Sequence, residues 1–411
     1  MGLKEIVIIS SGQPSLNPRL VKEADTLSDA GCKVTVLYAF WNAWGSRHDE
    51  QLLSEKKWKA ICTGGDPKQK PVIYFLSRLL HKICLTRLKK TGGYGYLADF
   101  AIARSSYFLI RAAKKHKADL YIGHNLGALP AIVKASAKYK KPCGFDAEDF
   151  HRHEVSDDVN SFHYKLTTYI EDKYLPSVNY LTASSTLIAE QYNLLYNRQV
   201  TTLLNVFPQK KPPVIVNRNA DQPIRLFWFS QTIGPNRGLE KIIEAMGLAK
   251  IDAELHLLGH PANGYKELLF RVAANTSLDN SKMYFYEPVP ADEIFTLASQ
   301  FDIGLACETG FCLNNNMALS NKIFTYVLSG LAVAASNTPA QTGLMQQYPQ
   351  TGEVYRDATE LSAILKQYND NRELLYQTKK ESFEIGQREL NWENESQKFL
   401  EIIRKITNEG E

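Results

Sequence analysis

The chain reads as an α/β protein built from two Rossmann-like, doubly wound domains facing a cleft. In both halves, short apolar runs of strand character alternate with amphipathic helical stretches. A Pro- and Lys-rich stretch, Pro208-Gln209-Lys210-Lys211-Pro212-Pro213, separates the halves. Its 411 residues, 44% of them hydrophobic, suffice for two ordinary cores. We therefore expect an N-terminal domain over residues 1–207, a second over 208–386, and a closing helix over 387–411.

Residues 5–10 form the first strand, and the loop Ser11-Gly12-Gln13-Pro14-Ser15-Leu16 follows. Asn17 and Pro18 supply a cap and first turn for a helix with Leu20, Val21, Ala24 and Leu27 on one face, stopped by Gly31. Residues 33–38 return as the next strand, closing a βαβ unit. Further on, a strand over 119–122 runs into Gly123-His124-Asn125-Leu126-Gly127, then an Ala-rich helix and a strand over 143–145. After the linker the pattern restarts: a strand over 225–230, a polar loop over 231–238, a helix over 239–249, and strands over 253–259, 282–286 and 302–307. The segment 320–336 reads as a helix start, an amphipathic helix carrying Ile323, Phe324, Val327 and Leu328, a stop at Gly330, and a buried strand.

A net charge of +4 is small for this length and implies no nucleic-acid role. The six cysteines have no Cys-x-x-Cys spacing, which suits a reducing compartment. Glu5 interrupts any signal-peptide core, Ile6 breaks the myristoylation pattern that would begin at Gly2, and no segment has the length of a membrane span. A cytoplasmic protein is expected. The first loop lacks Gly-x-Gly-x-x-Gly, which removes the main support for a dinucleotide-dependent enzyme.

An anion site is expected where Ser320 or Asn321 caps a helix whose backbone N–H groups point outward, with Lys322 adding a cation. The whole segment Ser320-Asn321-Lys322-Ile323-Phe324-Thr325-Tyr326, continuing to Gly330 and Ala335, resembles the nucleotide-sugar-binding segment of family 4 type GT-B glycosyltransferases. Their usual pattern is Pro-Asn-Lys-x-x-Glu-Tyr-x-x-x-Gly-x-Pro-Val-x-Ala. Thr325 stands in place of the Glu that holds ribose, and Ala332 in place of the Pro. The loop Ser230-Gln231-Thr232-Ile233-Gly234-Pro235-Asn236-Arg237-Gly238 is similar to the family's Gly-Arg-x-x-x-x-Lys-Gly segment, with Arg237 at the Lys position and Gln231 at the Arg position. Arg237 would face a diphosphate and Gly238 would allow its close approach; a solvated surface loop is the plainer alternative.

His124, at a strand end, resembles the family's His near the donor sugar, whereas a lone His is otherwise most often structural. Asp146 and Glu148 resemble its Asp-x-His-Glu segment and, two apart, would share a face of an extended chain to receive an acceptor hydroxyl. Glu308 is the acid nearest the place where the family's first site Glu would fall, and Asn316, in the loop with Asn314 and Asn315, would bond donor-sugar hydroxyls. Gly12 and Arg19 would complete a diphosphate pocket, though Arg19 suits an ordinary helix position as well. His151 and His153 have no convincing third ligand, so no metal is expected, nor any cofactor besides the nucleotide sugar substrate. Leu390-Asn391-Trp392-Glu393 with Phe399, Ile402, Ile403 and Ile406 resembles the family's closing helix, which crosses back to the N-terminal domain.

The resemblance implies a retaining glycosyltransferase, of hexosyltransferase class, moving a sugar from a nucleotide diphosphate sugar to the hydroxyl of a saccharide or lipid-linked acceptor in polysaccharide or glycolipid synthesis. A nucleotide-sugar epimerase and a catalytically silent nucleotide-binding protein of the same fold are the alternatives. The basic, aromatic-rich region over residues 74–117 suits either a peripheral membrane contact or a merely solvated face.

Overall fold

The computed structural model describes residues 4–211, 214–276 and 278–408; Gly2 and the Pro212-Pro213 end of the linker lie outside them. The chain divides into two compact units. One holds the residues up to Leu204, Cys312–Asn314 and those from Glu395 on; the other holds Asn205–Phe311 and Asn315–Asn394.

The first unit is a seven-stranded sheet. Its strands are β1 (Glu5–Ser10), β2 (Lys33–Ala39), β3 (Lys59–Thr63), β4 (Leu120–His124), β5 (Cys143–Ala147), β6 (Tyr180–Ala183) and β7 (Thr201–Thr202), ordered β3-β2-β1-β4-β5-β6-β7. All neighbours are parallel, so helices must return each strand to its start and cover both faces. That is why β1, β4 and β5 are near-continuous buried runs without polar alternation. The helix Pro18–Asp29 begins as its sequence dictates: the Asn17 side chain accepts the Leu20 N–H at 3.0 Å, and Gly31 ends it at φ +87°. Its Leu20, Ala24 and Leu27 pack in a core with Ile6, Ile8 and Val36. Phe399, Leu400 and Ile403, from the helix Trp392–Asn408, fill the same core.

The second unit is a six-stranded parallel sheet of β8 (Ile224–Ile233), β9 (Ala253–Pro261), β10 (Met283–Tyr286), β11 (Ile303–Ala306), β12 (Ala332–Ser336) and β13 (Gly352–Tyr355), ordered β10-β9-β8-β11-β12-β13. The strand order reverses between β8 and β11, and the carboxyl ends of strands at such a switch point are where α/β sheets receive ligands. The loop expected over 231–238 is shorter than its polar residues suggested. β8 continues through Ile233, with Thr232 and Ile233 paired to His260 and Pro261 beyond a bulge between Phe229 and Thr232. Burial of Ile233 fixes that extension, and Gly259 accommodates the bulge: a Cβ there would lie 2.3 Å from the Ser230 carbonyl oxygen.

Candidate functional site

In the second unit the predicted residues gather at the carboxyl edge of the sheet. The helix Asn321–Ser329 starts at Ser320, whose hydroxyl makes no capping bond; it donates instead to the Glu308 carboxylate at 2.9 Å. Lys322 Nζ donates to the same oxygen at 3.1 Å and lies 5.8 Å from the Trp228 ring centroid, while Asn315 Nδ2 reaches the other oxygen at 3.3 Å. Burial favours the protonated acid, but Lys322, Ser320 and Asn315 outweigh it and hold Glu308 below the usual carboxylate range. Glu308 is therefore an anion at neutral pH. The cation expected at an anion site is thus largely buried, and the chain's own carboxylate balances it.

Gly238 is the N-cap of the helix Leu239–Ala249, at φ +75°, a conformation that favours glycine. With no cap side chain, the first N–H groups of that helix are left to a ligand or solvent. Beside it opens a cavity of about 140 Å³, lined among others by Gly238, Lys241, Glu308, Asn316, Thr338 and Arg356. The turn after β11 is pinned there by Ser336, whose hydroxyl accepts the Glu308 N–H at 2.8 Å, and by buried Gln341, which donates to the Ala306 and Ser336 carbonyls. The Thr338 hydroxyl, buried at the start of the helix Pro339–Gln347, has no hydrogen-bond partner among the described residues. Lys241, Arg356 and Thr338 escaped the sequence reading. Lys241 was signalled by its place three residues after Gly238, and Thr338 by the Thr-Pro cap that opens a helix.

Other expected donor contacts are placed differently. Arg237 and Gln231 are solvent-exposed, and so is Asn321, whose carbonyl accepts from Thr325 Oγ1 at 3.4 Å. Thr325 is buried, with its hydroxyl turned onto its own helix and donating to the Asn321 carbonyl instead of facing outward toward a ribose. Asn316 lines the cavity and donates to the Gly310 carbonyl at 3.4 Å. Asn314 belongs with the first unit, bonded to Asp149 and to the Phe150 N–H.

The first unit holds a buried charge network instead of an open site. Arg19, expected at a diphosphate, is 1% exposed; its guanidinium grips both oxygens of Asp146 and donates to the Leu203 carbonyl at 2.6 Å. Its charge is needed because Asp146 is equally buried. Thr182 donates to Asp146 as well, at 2.5 Å. Burial would raise the Asp146 pKa, but Arg19 and His124 overcome it and lower it, leaving a fully bonded carboxylate with no capacity to receive an acceptor proton. His124 is fully buried, with Nε2 3.0 Å from Glu23 and Nδ1 3.2 Å from Glu148 and 3.6 Å from Asp146. Burial opposes its charge, yet Glu23, Glu148 and Asp146 together push its pKa up to about 10. In that charged form it donates from both nitrogens. Glu148 is partly exposed and also accepts from Asn17 at 2.5 Å.

Next to His124, Asn125 sits at φ 61°, ψ 144°, strained for a residue with a side chain. It is held by Ser10, which donates to it at 2.8 Å and accepts the Gly12 N–H at 3.0 Å, so that amide is already used within the loop. Glu23, His124 and Asp146 each turn one atom to within 4.8 Å of the others, a spacing a metal could use, but Arg19 already supplies the cation there. His151 and His153 pair separately with Glu154 and Asp157.

No family model matches the chain, and no curated protein matches it in sequence. Its fold, however, is that of the GT-B glycosyltransferases. HepE of Anabaena, solved with UDP and glucose, aligns over 98% of this chain and 100% of its own, at a TM-score of 0.68 and 14% identity. TarM of S. aureus, solved as a mutant with fondaparinux, alpha-GlcNAc-glycerol and UDP, aligns over 99% and 100% at a TM-score of 0.69 and 11% identity. A glycosyltransferase from Rickettsia africae ESF-5 aligns over 99% of both chains at a TM-score of 0.63 and 14% identity.

Proposed function

We propose that this chain is a retaining glycosyltransferase of the hexosyl class, taking its sugar from a nucleotide diphosphate sugar and delivering it to a hydroxyl of a saccharide or lipid-linked acceptor in cell-surface polysaccharide or glycolipid synthesis. The observation that carries this reading is the cavity beside the uncapped helix start at Gly238, with Lys241, Arg356 and Glu308 on its wall and Lys322 paired to that carboxylate. As the bond from sugar to diphosphate breaks, negative charge grows on the leaving oxygens. Helix N–H groups and the cations beside them, once Arg356 turns from Glu360 to the ligand, stabilise that charge more than they stabilise the intact donor, which is the differential binding catalysis requires. Glu308, an anion already bonded to Ser320 and Lys322, accepts hydrogen bonds from donor-sugar hydroxyls. No metal or cofactor enters this scheme.

Calorimetry with UDP and GDP, followed by an assay of nucleotide release from a panel of nucleotide sugars, tests it. Binding and acceptor-dependent release are expected, and Lys322→Ala should lower turnover by about a hundredfold or more, measured below the melting point of a variant that loses roughly 3 kcal/mol by leaving the largely buried Glu308 without its cation. Failure of every nucleoside diphosphate to bind would overturn the reading. Closure of Lys322 onto Glu308 favours the silent alternative, which predicts binding without release in any donor and acceptor combination.

A further inference from the structure

The helix Pro71–Thr91 buries only Ser77, Cys84 and Leu88 of its 21 residues. On the side away from these, Val72, Phe75, Leu76, Leu79 and Ile83 recur at helical spacing, and their exposures run from 43% to 70%. A stripe of large apolar side chains turned to water over three turns costs solubility and needs a reason. Its edges are cationic: at 3.6 residues per turn, Arg78, Lys82 and Lys89 fall along one border and Arg87 along the other. Between Pro67 and Ala98 there are seven Lys or Arg and no Asp or Glu. Beside the first half of the helix, Trp41 is 48% exposed beneath the Arg104 guanidinium, which lies close enough to Arg78 to depress its pKa once burial has done so. The Phe40 and Tyr74 rings, 5.5 Å apart, tie the Trp41 loop to the helix.

We infer that this face docks on an anionic lipid bilayer, with the helix lying in the interfacial plane, its apolar stripe among the acyl chains and its lysines and arginines at the headgroups. Each alternative occupant conflicts with one observation. A second copy of the chain would bring two acid-free cationic helices together, nucleic acid offers nothing to the apolar stripe, and a bilayer matches both features as well as the indole at the rim. The inference is independent of the donor chemistry, and lipid binding can be measured without any sugar transfer.

The test is sedimentation of the full chain with phosphatidylcholine vesicles, with and without phosphatidylglycerol, at low and high salt. Wild type should pellet only with phosphatidylglycerol vesicles and be released by salt. Phe75→Gln/Leu79→Gln and Lys82→Glu/Arg87→Glu, all at exposed positions, should each weaken partitioning by about tenfold or more with unchanged melting temperature. Trp41 emission should shift to the blue on binding in wild type alone. Absence of wild-type binding, or wild-type binding in either double variant, would overturn the inference. So would a wild-type dimer in sedimentation velocity that the Gln variant dissociates while vesicles bind neither.

Discussion

His124 is surrounded by carboxylates on every polar side, and its charge is part of what keeps the first unit folded. Its folded pKa of about 10 stands above its ordinary 6.5, so the stabilisation is complete below pH 6.5 and is lost as pH rises through 10. His124→Gln should therefore cost roughly 3–5 kcal/mol near neutrality, and the deficit against wild type should shrink toward pH 10. Urea unfolding of both proteins across that range measures it; a deficit that does not depend on pH would mean the ring acts through packing alone. Lys22 illustrates the opposite case: burial first, and then Arg19, bring its pKa down to about 7, against the pull of Glu23 and its neighbours. Its charge is given up near neutrality while that of His124 persists.

At the scale of elements, the helix cap at Gly238 joins backbone geometry to the site. Alanine at φ +75° costs about 1–2 kcal/mol, and its Cβ would sit 3.2 Å from that of Cys307 at the cavity wall. Gly238→Ala should lower the melting temperature modestly and weaken nucleotide binding by about tenfold, close to 1.4 kcal/mol; unchanged affinity in calorimetry would place the nucleotide elsewhere. Much of the second unit was legible in the sequence because its signals are local. The helix Leu239–Ala249, the stop at Gly330 and the strand Ala332–Ser336 each follow from periodicity and a glycine within the same short stretch. The charge partners were not legible. Arg19 and Asp146 stand 127 residues apart, and His124 and Glu23 stand 101 apart, so only the sheet order that makes β1, β4 and β5 neighbours brings them together. Glu308 and Lys322 stand only 14 residues apart, yet their pairing depends on where the turn after β11 places the carboxylate, and it turns an apparent free cation into half of an ion pair.

For the molecule as a whole, two units with separate cores predict separable responses. Phe399→Ala, removing a ring that is 1% exposed in the first unit's core, should lower that unit's transition by roughly 3–5 kcal/mol. A nucleoside diphosphate at a hundred times its Kd should raise the other transition by about 2.7 kcal/mol. Scanning calorimetry of the variant with and without nucleotide would resolve both, and a single transition moved equally by both would contradict their independence. The core that Phe399 completes also sets an order in time. Ribosomal synthesis delivers Ile6, Ile8 and Leu20 early, and every residue of the second unit must emerge before Leu400 and Ile403 arrive to seal the apolar surface left waiting. Of the two units, the one synthesised earlier is thus the one that finishes folding later, and during elongation its open flank is the place where a chaperone would have the longest access.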